Sequence, residues 1–518
     1  MDPIKTSDIV AVIGSGAMGS GIAHVAARAG HPVLLFDMNA DALARGRASI
    51  EKDLAFLVER GKLGGEERDA ILARVTPVSA LEALKDARLI VEAIVEKLEV
   101  KQQLFAQLET IAPEAMLTSN TSSLSITAIA SALEQPERFA GLHFFNPAPR
   151  MRLVEVVSGL ATAPEMAACL FATASAWGKD PVHARSTPGF IVNRVARPFY
   201  AEGLKVLAEG AASPATLDAV MRDGAGFPMG PFELTDLIGH DVNYAVTQSV
   251  FHAYYADDRF IPSLIQQELV LAGRLGRKSG QGFYRYGEGA ERPTPDVEAS
   301  APQPTEVVAF GEDPLWAPMI ARLETAGVRV ERRDGIVGEQ PHLRVGGTRL
   351  CMTDGRTATR RSVDEVFNDL VVFDLVLNFA QADTVAAAPG DLASADAWRA
   401  AVGALQSAGF KVLKLDDVAG LLAMRTVAML ANEAADAVLY GVATPGDVDT
   451  AMKRGTNYPH GPLEWAQKLG YQRVQCVLEH LHAHYGESRY RTSPWLQRRT
   501  FVERVGVPRV PAEEAISG

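Results

Sequence analysis

The sequence predicts an α/β domain with a parallel, doubly wound sheet, then an all-α domain, a degenerate α/β segment and a second copy of the all-α domain. Three observations support this. Strand-like and helix-like segments alternate near the N-terminus, a glycine-rich turn joins the first strand to the first helix, and a helical stretch recurs near the C-terminus. The length of 518 residues, at about 150 residues per domain, also indicates several domains.

The composition is that of a globular protein, with 47% hydrophobic and 22% charged residues, and excludes a disordered or fibrous chain. A net charge of −12 disfavours a broad surface for nucleic acid or anionic membrane. The three cysteines, Cys169, Cys351 and Cys476, have neither metal-ligand nor redox spacing. No run of 18 apolar residues and no signal-like N-terminus is present, so we expect a cytoplasmic protein.

The order of elements in the first segment predicts the parallel sheet. A helix over Gly19–Ala29 follows the first strand, and the predicted strands are Ile9–Ile13, Pro32–Phe36, Leu89–Ile94 and Met116–Ser119. After Thr187 the chain becomes helical, and a proline-rich stretch then predicts a linker. Beyond it, Glu306–Phe310 and Val328–Val330 flank an amphipathic stretch, as in a nucleotide-binding half without its phosphate loop.

The sequence therefore predicts five segments. These are a dinucleotide-binding domain over 1–187, a helical domain over 188–285, a linker over 286–306, a degenerate α/β segment over 307–416 and a second helical domain over 417–518.

An internal repeat supports the two helical domains. Gly189–Gly239 aligns without gaps on Gly420–Gly470 at an offset of 231 residues, with 14 identities in 51 positions. Prolines and glycines stay in register, which indicates duplication of one domain. The second copy has Met424 where the first has Asn193, and the glycine-rich turn is not repeated before it, so we expect it to be non-catalytic and to pair with the first copy within the chain.

The glycine-rich turn Gly14-Ser-Gly16-Ala-Met-Gly19 directly follows a strand and directly precedes a helix. In that context the first glycine permits the turn, the second lets the backbone approach a pyrophosphate, and the third allows close packing of helix on strand. The motif therefore predicts a dinucleotide site, with a structural glycine turn as the alternative.

Asp37 ends the second predicted strand, 18 residues after Gly19. A carboxylate there accepts hydrogen bonds from the ribose hydroxyls and repels a 2′-phosphate, and no Arg or Lys lies in the next few residues. We therefore expect NAD rather than NADP as the cofactor.

His143 and Glu155 each lie in an apolar run that predicts a buried strand. A buried glutamate needs a partner, and a histidine held by a carboxylate has a fixed tautomer and can act as a base. Taken alone, His143 would be read as a core histidine. The dinucleotide motif and Glu155 favour the catalytic interpretation.

These motifs resemble those of the L-3-hydroxyacyl-CoA dehydrogenases. The resemblance rests on VAVIGSGAMGSGIA, VEAIVE, SNTSSLSI, FAGLHFFNPAPRM, LVEVV and TPGFIVNR, covers residues 1–285 and returns in 417–518. The layout is most similar to the bacterial members with two helical domains that act on 3-hydroxyadipyl-CoA in phenylacetate degradation. Members that act on 3-hydroxybutyryl-CoA share the motifs, so that substrate, or general short-chain β-oxidation, stays open.

The resemblance implies a Rossmann-type NAD domain, an acyl-CoA substrate and no metal. It implies His143 as base, Glu155 as the acid that orients it, and Ser122 and Asn193 as donors to the substrate oxygen. It implies cofactor contacts at Gly14, Gly16, Ala17, Met18, Gly19, Asp37, Glu96, Lys101, Asn120 and Asn146. The positions that bind CoA in relatives hold Asp53 and Arg60 here; because Asp53 suits a phosphate poorly, CoA contacts are not assigned.

Several alternatives stand beside this interpretation. Ser122 would serve as a helix N-cap, and Asn193 as a buried core amide. A non-catalytic NAD-binding protein would lack His143 or Glu155, whereas both are present. A hydrolase with Ser122, His143 and Glu155 as a triad would lack the usual nucleophile elbow and would leave the glycine motif unexplained.

Arg150 is a candidate partner for a distal substrate carboxylate, or else a solvated surface residue. A homodimer or larger homo-oligomer is left open.

Overall fold

The computed structural model describes residues 2–336 and 339–505, which form two compact units. The first unit contains the chain up to Val195 together with Tyr440–Gly461, and the second contains Ala196–Leu439 and the chain from Pro462. These units cut across the five predicted segments, whose boundaries stay a prediction. Residues 506–518 of the last predicted domain lie outside the described part.

The first unit is an α/β domain with one helix added from the C-terminal part of the chain. Its strands are β1 (Ile9–Ile13), β2 (Val33–Phe36), β3 (Val75–Val78), β4 (Ala87–Glu92), β5 (Met116–Ser119), β6 (Phe139–Phe144), β7 (Leu153–Ser158) and β8 (Asp180–Arg185). Its helices are α1 (Ala17–Arg28), α2 (Ala40–Glu59), α3 (Gly65–Ala73), α4 (Leu98–Ile111), α5 (Ile126–Ala130), α6 (Pro164–Ala176), α7 (Val192–Val195) and, from the C-terminal part, α17 (Pro445–Gly455).

The strands form an eight-stranded sheet in the order β3-β2-β1-β4-β5-β6-β7-β8. Every pairing is parallel except that of β6 with β7, which is antiparallel. The order reverses at β1, so the carboxyl ends of β1 and β4 open a crevice where such sheets bind nucleotides. The predicted doubly wound sheet is confirmed, and each predicted strand lies within two residues of the observed one.

The second unit contains most of both helical copies and a second sheet. Its strands are β9 (Glu306–Phe310), β10 (Arg329–Arg333), β11 (His342–Val345), β12 (Thr348–Met352), β13 (Leu370–Phe373), β14 (Thr384–Pro389) and β15 (Lys411–Lys414). Its helices are α8 (Arg197–Ala208), α9 (Pro214–Ala219), α10 (Pro231–Ile238), α11 (His240–Ala253), α12 (Leu264–Leu271), α13 (Ala317–Thr325), α14 (Ala358–Asp364), α15 (Ala395–Ser407), α16 (Ala423–Leu439), α18 (Pro462–Leu469), α19 (Tyr471–Tyr485) and α20 (Pro494–Val505).

The second sheet has seven strands in the order β10-β9-β11-β12-β13-β14-β15. It mixes parallel and antiparallel pairs, because β11 runs antiparallel to both of its neighbours and β13 runs antiparallel to β14. The turn after β9 reads Gly311-Glu-Asp-Pro-Leu-Trp316 and has none of the spacing of a phosphate loop. The expected degenerate α/β segment is thus present. The predicted linker before it, residues 286–306, contains no helix and only an isolated β-bridge, and its last residue, Glu306, begins β9.

The two helical copies pack together within the second unit, as the duplication predicts. Helix α16, with nearly all its residues buried, contacts α8 of the first copy. The buried Glu202 on α8 accepts hydrogen bonds from Arg425 Nε at 2.9 Å and from Arg489 Nη2 at 2.8 Å. Likewise Arg259 Nη1 lies 2.6 Å from Asp436 Oδ2. These charges are buried and paired, so removal of one partner would leave an uncompensated charge.

The repeat is longer in the structure than in the sequence, since the 231-residue offset also relates β6 to β13 and α6 to α15. Phe190 and Leu421, an equivalent pair, both have positive φ, of 45° and 50°. Two backbone bonds are equivalent as well: Arg185 N–H donates to Val442 O in the first unit, and Asp416 N–H to Ala211 O in the second, each at 2.8 Å. The last strand of the first sheet, and the segment just after the last strand of the second, therefore each bond to the helical copy that belongs to the other half of the sequence.

Among residues 2–336 and 339–505, no helix has the length and apolar character needed to cross a membrane.

Candidate active site

The glycine turn lies between β1 and α1, as predicted. Gly14 has φ of 96°, and a Cβ there would lie 2.6 Å from Ala93 O. A Cβ on Gly19 would collide with the carbonyl oxygen of Gly14, so helix and strand pack as closely as they do only with glycine. No heavy atom lies within 4 Å of a Cβ on Gly16. That open space, beside the exposed Ala17 and the half-buried Met18 at the start of α1, fits a pyrophosphate.

Asp37 follows β2 and closes this turn. Its Oδ2 accepts hydrogen bonds from Ser15 N–H at 2.8 Å and from Ser15 Oγ at 2.7 Å, and its Oδ1 accepts from Asn39 N–H at 3.0 Å. Burial alone would raise the pKa of Asp37, but these hydrogen bonds outweigh it and hold the pKa below its usual range. The half-buried carboxylate is thus ionised next to the glycine turn, where the predicted ribose contact requires it.

Glu92, at the end of β4, is a residue that the sequence interpretation missed. It is fully buried, and its Oε1 lies 2.5 Å from Nζ of the equally buried Lys101. Its Oε2 accepts a hydrogen bond from Ser119 Oγ at 2.6 Å. Lys101, predicted as a cofactor contact, therefore forms a buried ion pair that ties α4 to β4. Its Nζ also lies 3.3 Å from Glu96 Oε2.

Glu96 organises the loop after β5. Its Oε1 accepts hydrogen bonds from Thr121 Oγ1 at 2.6 Å, from Ser122 N–H at 3.0 Å and from Ser123 Oγ at 2.9 Å. Burial would raise the pKa of Glu96, but the Thr121 hydrogen bond and the charge of Lys101 lower it below the usual value. Glu96 is thereby fixed as an anion that positions the backbone of Ser122.

Two predicted asparagine contacts occupy different environments. Asn120 is half-buried, and its Oδ1 accepts a hydrogen bond from Phe144 N–H at 2.8 Å, which ties the end of β5 to the end of β6. Asn146, three residues after His143, is exposed.

His143 and Glu155 face each other across the antiparallel pair of β6 and β7. His143 Nδ1 lies 2.6 Å from Glu155 Oε2, and both side chains are buried. Glu155 Oε1 accepts hydrogen bonds from the N–H groups of Ile191 at 3.0 Å and Val192 at 3.1 Å. Since Nδ1 is bonded to the carboxylate, Nε2 is the ring nitrogen left for a substrate. The sequence predicted this pair, but not the backbone groups that hold Glu155.

Ser122 and Asn193 are both half-buried. Asn193 lies on α7, directly after the two N–H groups that bind Glu155. The alternative role of Ser122 as a helix N-cap finds no support, because Ser125 is the N-cap of α5 and accepts a hydrogen bond from Ala128 N–H at 3.2 Å. The reason is local, since α5 begins only at Ile126 and its first turn is out of reach of Ser122.

A basic cavity of about 530 Å³ opens beside the loop that follows His143. Its wall includes His24, Asp53 and Arg150 and the further basic residues Arg28, Arg60 and Lys62. Arg150 lies over the ring of Phe56 on α2, 6.0 Å from its centroid. Both His24 nitrogens lack a hydrogen-bond partner in the described chain, and burial lowers the pKa of His24 to about 4.

A largely parallel sheet with a glycine turn after β1, an ionised carboxylate after β2 and a buried histidine paired with a glutamate is typical of NAD-dependent dehydrogenases that act on alcohols. Comparison with known proteins specifies the family. The profile of the 3-hydroxyacyl-CoA dehydrogenase NAD binding domain matches residues 9–187, and that of the family's C-terminal domain matches 189–286 and again 420–509. A third profile, the 3-hydroxybutyryl-CoA dehydrogenase reduced Rossmann-fold domain, matches 350–418.

Individual relatives carry the same family assignment. The chain is 49% identical to the 3-hydroxyadipyl-CoA dehydrogenase of Escherichia coli K12 over 95% of its own length and 98% of the relative's. It is 42% identical to the mitochondrial hydroxyacyl-coenzyme A dehydrogenase of Sus scrofa over 54% of its length and 90% of the relative's. The crystal structure of 3-hydroxybutyryl-CoA dehydrogenase from E. coli K12 superposes with a TM-score of 0.88 at 46% identity, covering 97% of this chain and 100% of that one.

The chain belongs to the 3-hydroxyacyl-CoA dehydrogenase family. It is an oxidoreductase that acts on a CH–OH group with NAD as its cofactor, and the repeated match at 420–509 confirms the duplicated helical domain.

Proposed function

We propose that the chain oxidises L-3-hydroxyadipyl-CoA to the 3-oxoacyl-CoA with NAD⁺, with His143 as the base. The observation that carries the mechanism is the pair formed by His143 Nδ1 and Glu155 Oε2 at 2.6 Å, because it leaves Nε2 as an oriented proton acceptor.

In this mechanism His143 Nε2 takes the proton from the 3-hydroxyl. NAD⁺ held by the glycine turn and Asp37 would supply the acceptor for the hydride that leaves C3. Glu155, anchored by the N–H groups of Ile191 and Val192, balances the charge of the imidazolium as it forms. Ser122 and Asn193 donate hydrogen bonds to the substrate oxygen as it becomes a carbonyl. Glu96 supports this step, because its carboxylate fixes the backbone N–H of Ser122.

The cofactor contacts follow the geometry of the turn. Gly14, Gly16 and Gly19 give the pyrophosphate room to approach the start of α1, and Asp37 accepts from the ribose hydroxyls. Glu96, Asn120 and Asn146 serve the nicotinamide end. Lys101 acts indirectly, because its Nζ is bound by Glu92 and Glu96.

The choice of substrate rests on the E. coli relative whose length the chain covers almost completely. The second candidate is 3-hydroxybutyryl-CoA, the substrate for which the superposed E. coli structure is named. In either case the basic cavity beside Arg60 and Arg150 suits the CoA phosphates, so Arg150 is a partner for CoA at least as readily as for a distal carboxylate. We extend the proposal to phenylacetate degradation in the cytoplasm.

The experiment is a comparison of kcat/KM for 3-hydroxyadipyl-CoA and 3-hydroxybutyryl-CoA, followed by NADH absorbance at 340 nm. The proposal expects the adipyl substrate to be favoured. A preference for the butyryl substrate would replace it by the second candidate, and release of free thiol without NADH would contradict the reaction itself.

A further inference from the structure

The helix α17 belongs by sequence to the second helical copy, yet it lies in the first compact unit. It contacts β7, β8 and α7. Arg454 Nε lies 2.9 Å from Asp180 Oδ2 on β8. Just before α17, Val442 O accepts a hydrogen bond from Arg185 N–H at 2.8 Å, so this segment also bonds to the last strand of the sheet.

Gly455, the last residue of α17, packs against residues of β7 and α7. A Cβ on Gly455 would lie 2.7 Å from Leu153 Cδ2 and 3.1 Å from Val192 Cγ2. The first distance is shorter than carbon atoms tolerate, so any larger residue must move the side chain of Leu153, which is fully buried and has little free space. The close approach is therefore specific to glycine.

The two neighbours of Gly455 belong to the two elements that hold the catalytic carboxylate. Leu153 lies on β7, two residues before Glu155 and on the same face of the strand. Val192 begins α7, and its N–H is one of the two donors to Glu155 Oε1. A displacement of β7 from α7 would lengthen this hydrogen bond and turn Glu155 relative to His143.

We propose that Gly455 is a positioning residue for the His143–Glu155 pair, so that the second, non-catalytic copy holds the catalytic geometry of the first. This inference rests on the proposed role of His143 as base. Because misplacement of a reacting group by about 1 Å can cost roughly 100-fold in rate, a small shift here has a measurable effect on turnover.

The test compares Gly455→Ala with Gly446→Ala in the full-length chain. Gly446 lies on the same helix, but no heavy atom is within 4 Å of a Cβ there. Alanine favours a helix over glycine by about 1 kcal/mol, so helix propensity alone would stabilise both variants. We expect Gly455→Ala to lower kcat at least about tenfold with the Kd for NAD unchanged, and Gly446→Ala to behave as wild type.

Two further readouts separate positioning from general stability. The acid limb of the pH profile of kcat/KM should move to lower pH in Gly455→Ala, since the imidazolium form loses part of its carboxylate support. Adding Leu153→Val, which removes the crowded Cδ2 atom, should restore most of the lost turnover. A melting temperature that falls while kcat and the pH profile stay unchanged would overturn the inference.

If Gly455→Ala does not fold, a second comparison replaces it. The single variant Leu153→Val is then compared with the double variant Leu153→Val/Gly455→Ala. The inference then expects the added alanine to fill the space left by Leu153→Val and to raise kcat, and equal turnover of the two would refute it. His143→Gln separates this inference from the proposed function. If His143→Gln retains turnover, the proposed base is wrong; if it loses turnover while Gly455→Ala does not, only the inference about Gly455 fails.

Discussion

Asp374 occupies in the second half of the chain the position that His143 occupies in the first, 231 residues earlier. His143 pairs across the sheet with Glu155, and Asp374 correspondingly donates its backbone N–H to Ala386 O at 2.9 Å. Ala386 is thus the equivalent of Glu155, and both members of the proposed catalytic pair are replaced.

The carboxylate of Asp374 binds the same backbone N–H groups in the second half that Glu155 binds in the first. Its Oδ2 accepts hydrogen bonds from the N–H groups of Leu422 at 3.0 Å and Ala423 at 2.7 Å, the equivalents of Ile191 and Val192. The start of α16 keeps its anchor while the base is lost.

We therefore expect one NAD per chain. Among the described residues, the second sheet has no glycine turn, and Met424 replaces Asn193 as well. Isothermal titration calorimetry of the full chain with NAD should give a stoichiometry near one, and a value near two would contradict the assignment of the second copy.

Substitution of the base tests the proposed mechanism directly. His143→Gln should lower kcat by roughly 10²–10⁴-fold, the usual contribution of a positioned general base. The Kd for NAD should stay unchanged, because His143 lies outside the glycine turn. His252→Gln, at an exposed position on α11, is the matched control.

The selectivity for NAD should depend on Asp37. Two unit charges about 4 Å apart near a protein surface repel by about 4 kcal/mol, so we expect kcat/KM for NAD⁺ to exceed that for NADP⁺ by more than about 100-fold. Asp37→Asn should reduce this ratio, whereas Asp41→Asn, at an exposed position on α2, should leave it unchanged. Equal use of the two cofactors by the wild type would refute the role of Asp37.

The buried ion pair of Glu92 and Lys101 should be sensitive to removal of one partner. Lys101→Met leaves the fully buried Glu92 without its cationic partner, so we expect a loss of about 3–5 kcal/mol in the free energy of unfolding. The double variant Glu92→Gln/Lys101→Met should lose less than Lys101→Met alone. Additive losses in urea denaturation would show that the pair is not coupled.

His24 should make stability depend on pH. Burial lowers its pKa from 6.5 to about 4, so the folded state binds fewer protons than the unfolded state between these values. The stabilisation is fully present above pH 6.5 and is lost as the pH falls towards 4, by at most about 3 kcal/mol. His24→Gln should flatten the pH dependence of the unfolding free energy in this window; an unchanged slope would show that His24 does not cause it.

Local patterns made most of the first sheet and the His143–Glu155 pair predictable. Strand periodicity and the glycine turn depend on residues close in sequence, and a glutamate in an apolar run reveals its need for a partner. The same argument applied to Glu92 in Val-Glu-Ala-Ile-Val-Glu would have identified its ion pair. The partner is less evident from the sequence, because Lys101 also fits the cofactor contact that the resemblance implies.

The contact of Gly455 with Leu153 could not be predicted from either segment. About 300 residues separate them, and a glycine at the end of a helix usually indicates a cap rather than close packing. The alternative role of Ser122 as the N-cap of α5 was wrong for a local reason. Ser122, Ser123 and Ser125 are all suitable N-cap residues, and only the backbone conformation decides among them.

The paired Arg185–Val442 and Asp416–Ala211 bonds have a consequence for assembly. Contacts of this reciprocal kind arise between two separate subunits in a two-fold dimer, where their formation depends on protein concentration. Here one covalent chain supplies both sides, so the effective concentration of each half for the other is fixed by the linking chain. Dilution cannot separate the two halves. Each half can also carry its own residue at equivalent positions, such as His143 in one and Asp374 in the other, whereas two identical subunits must carry the same residue.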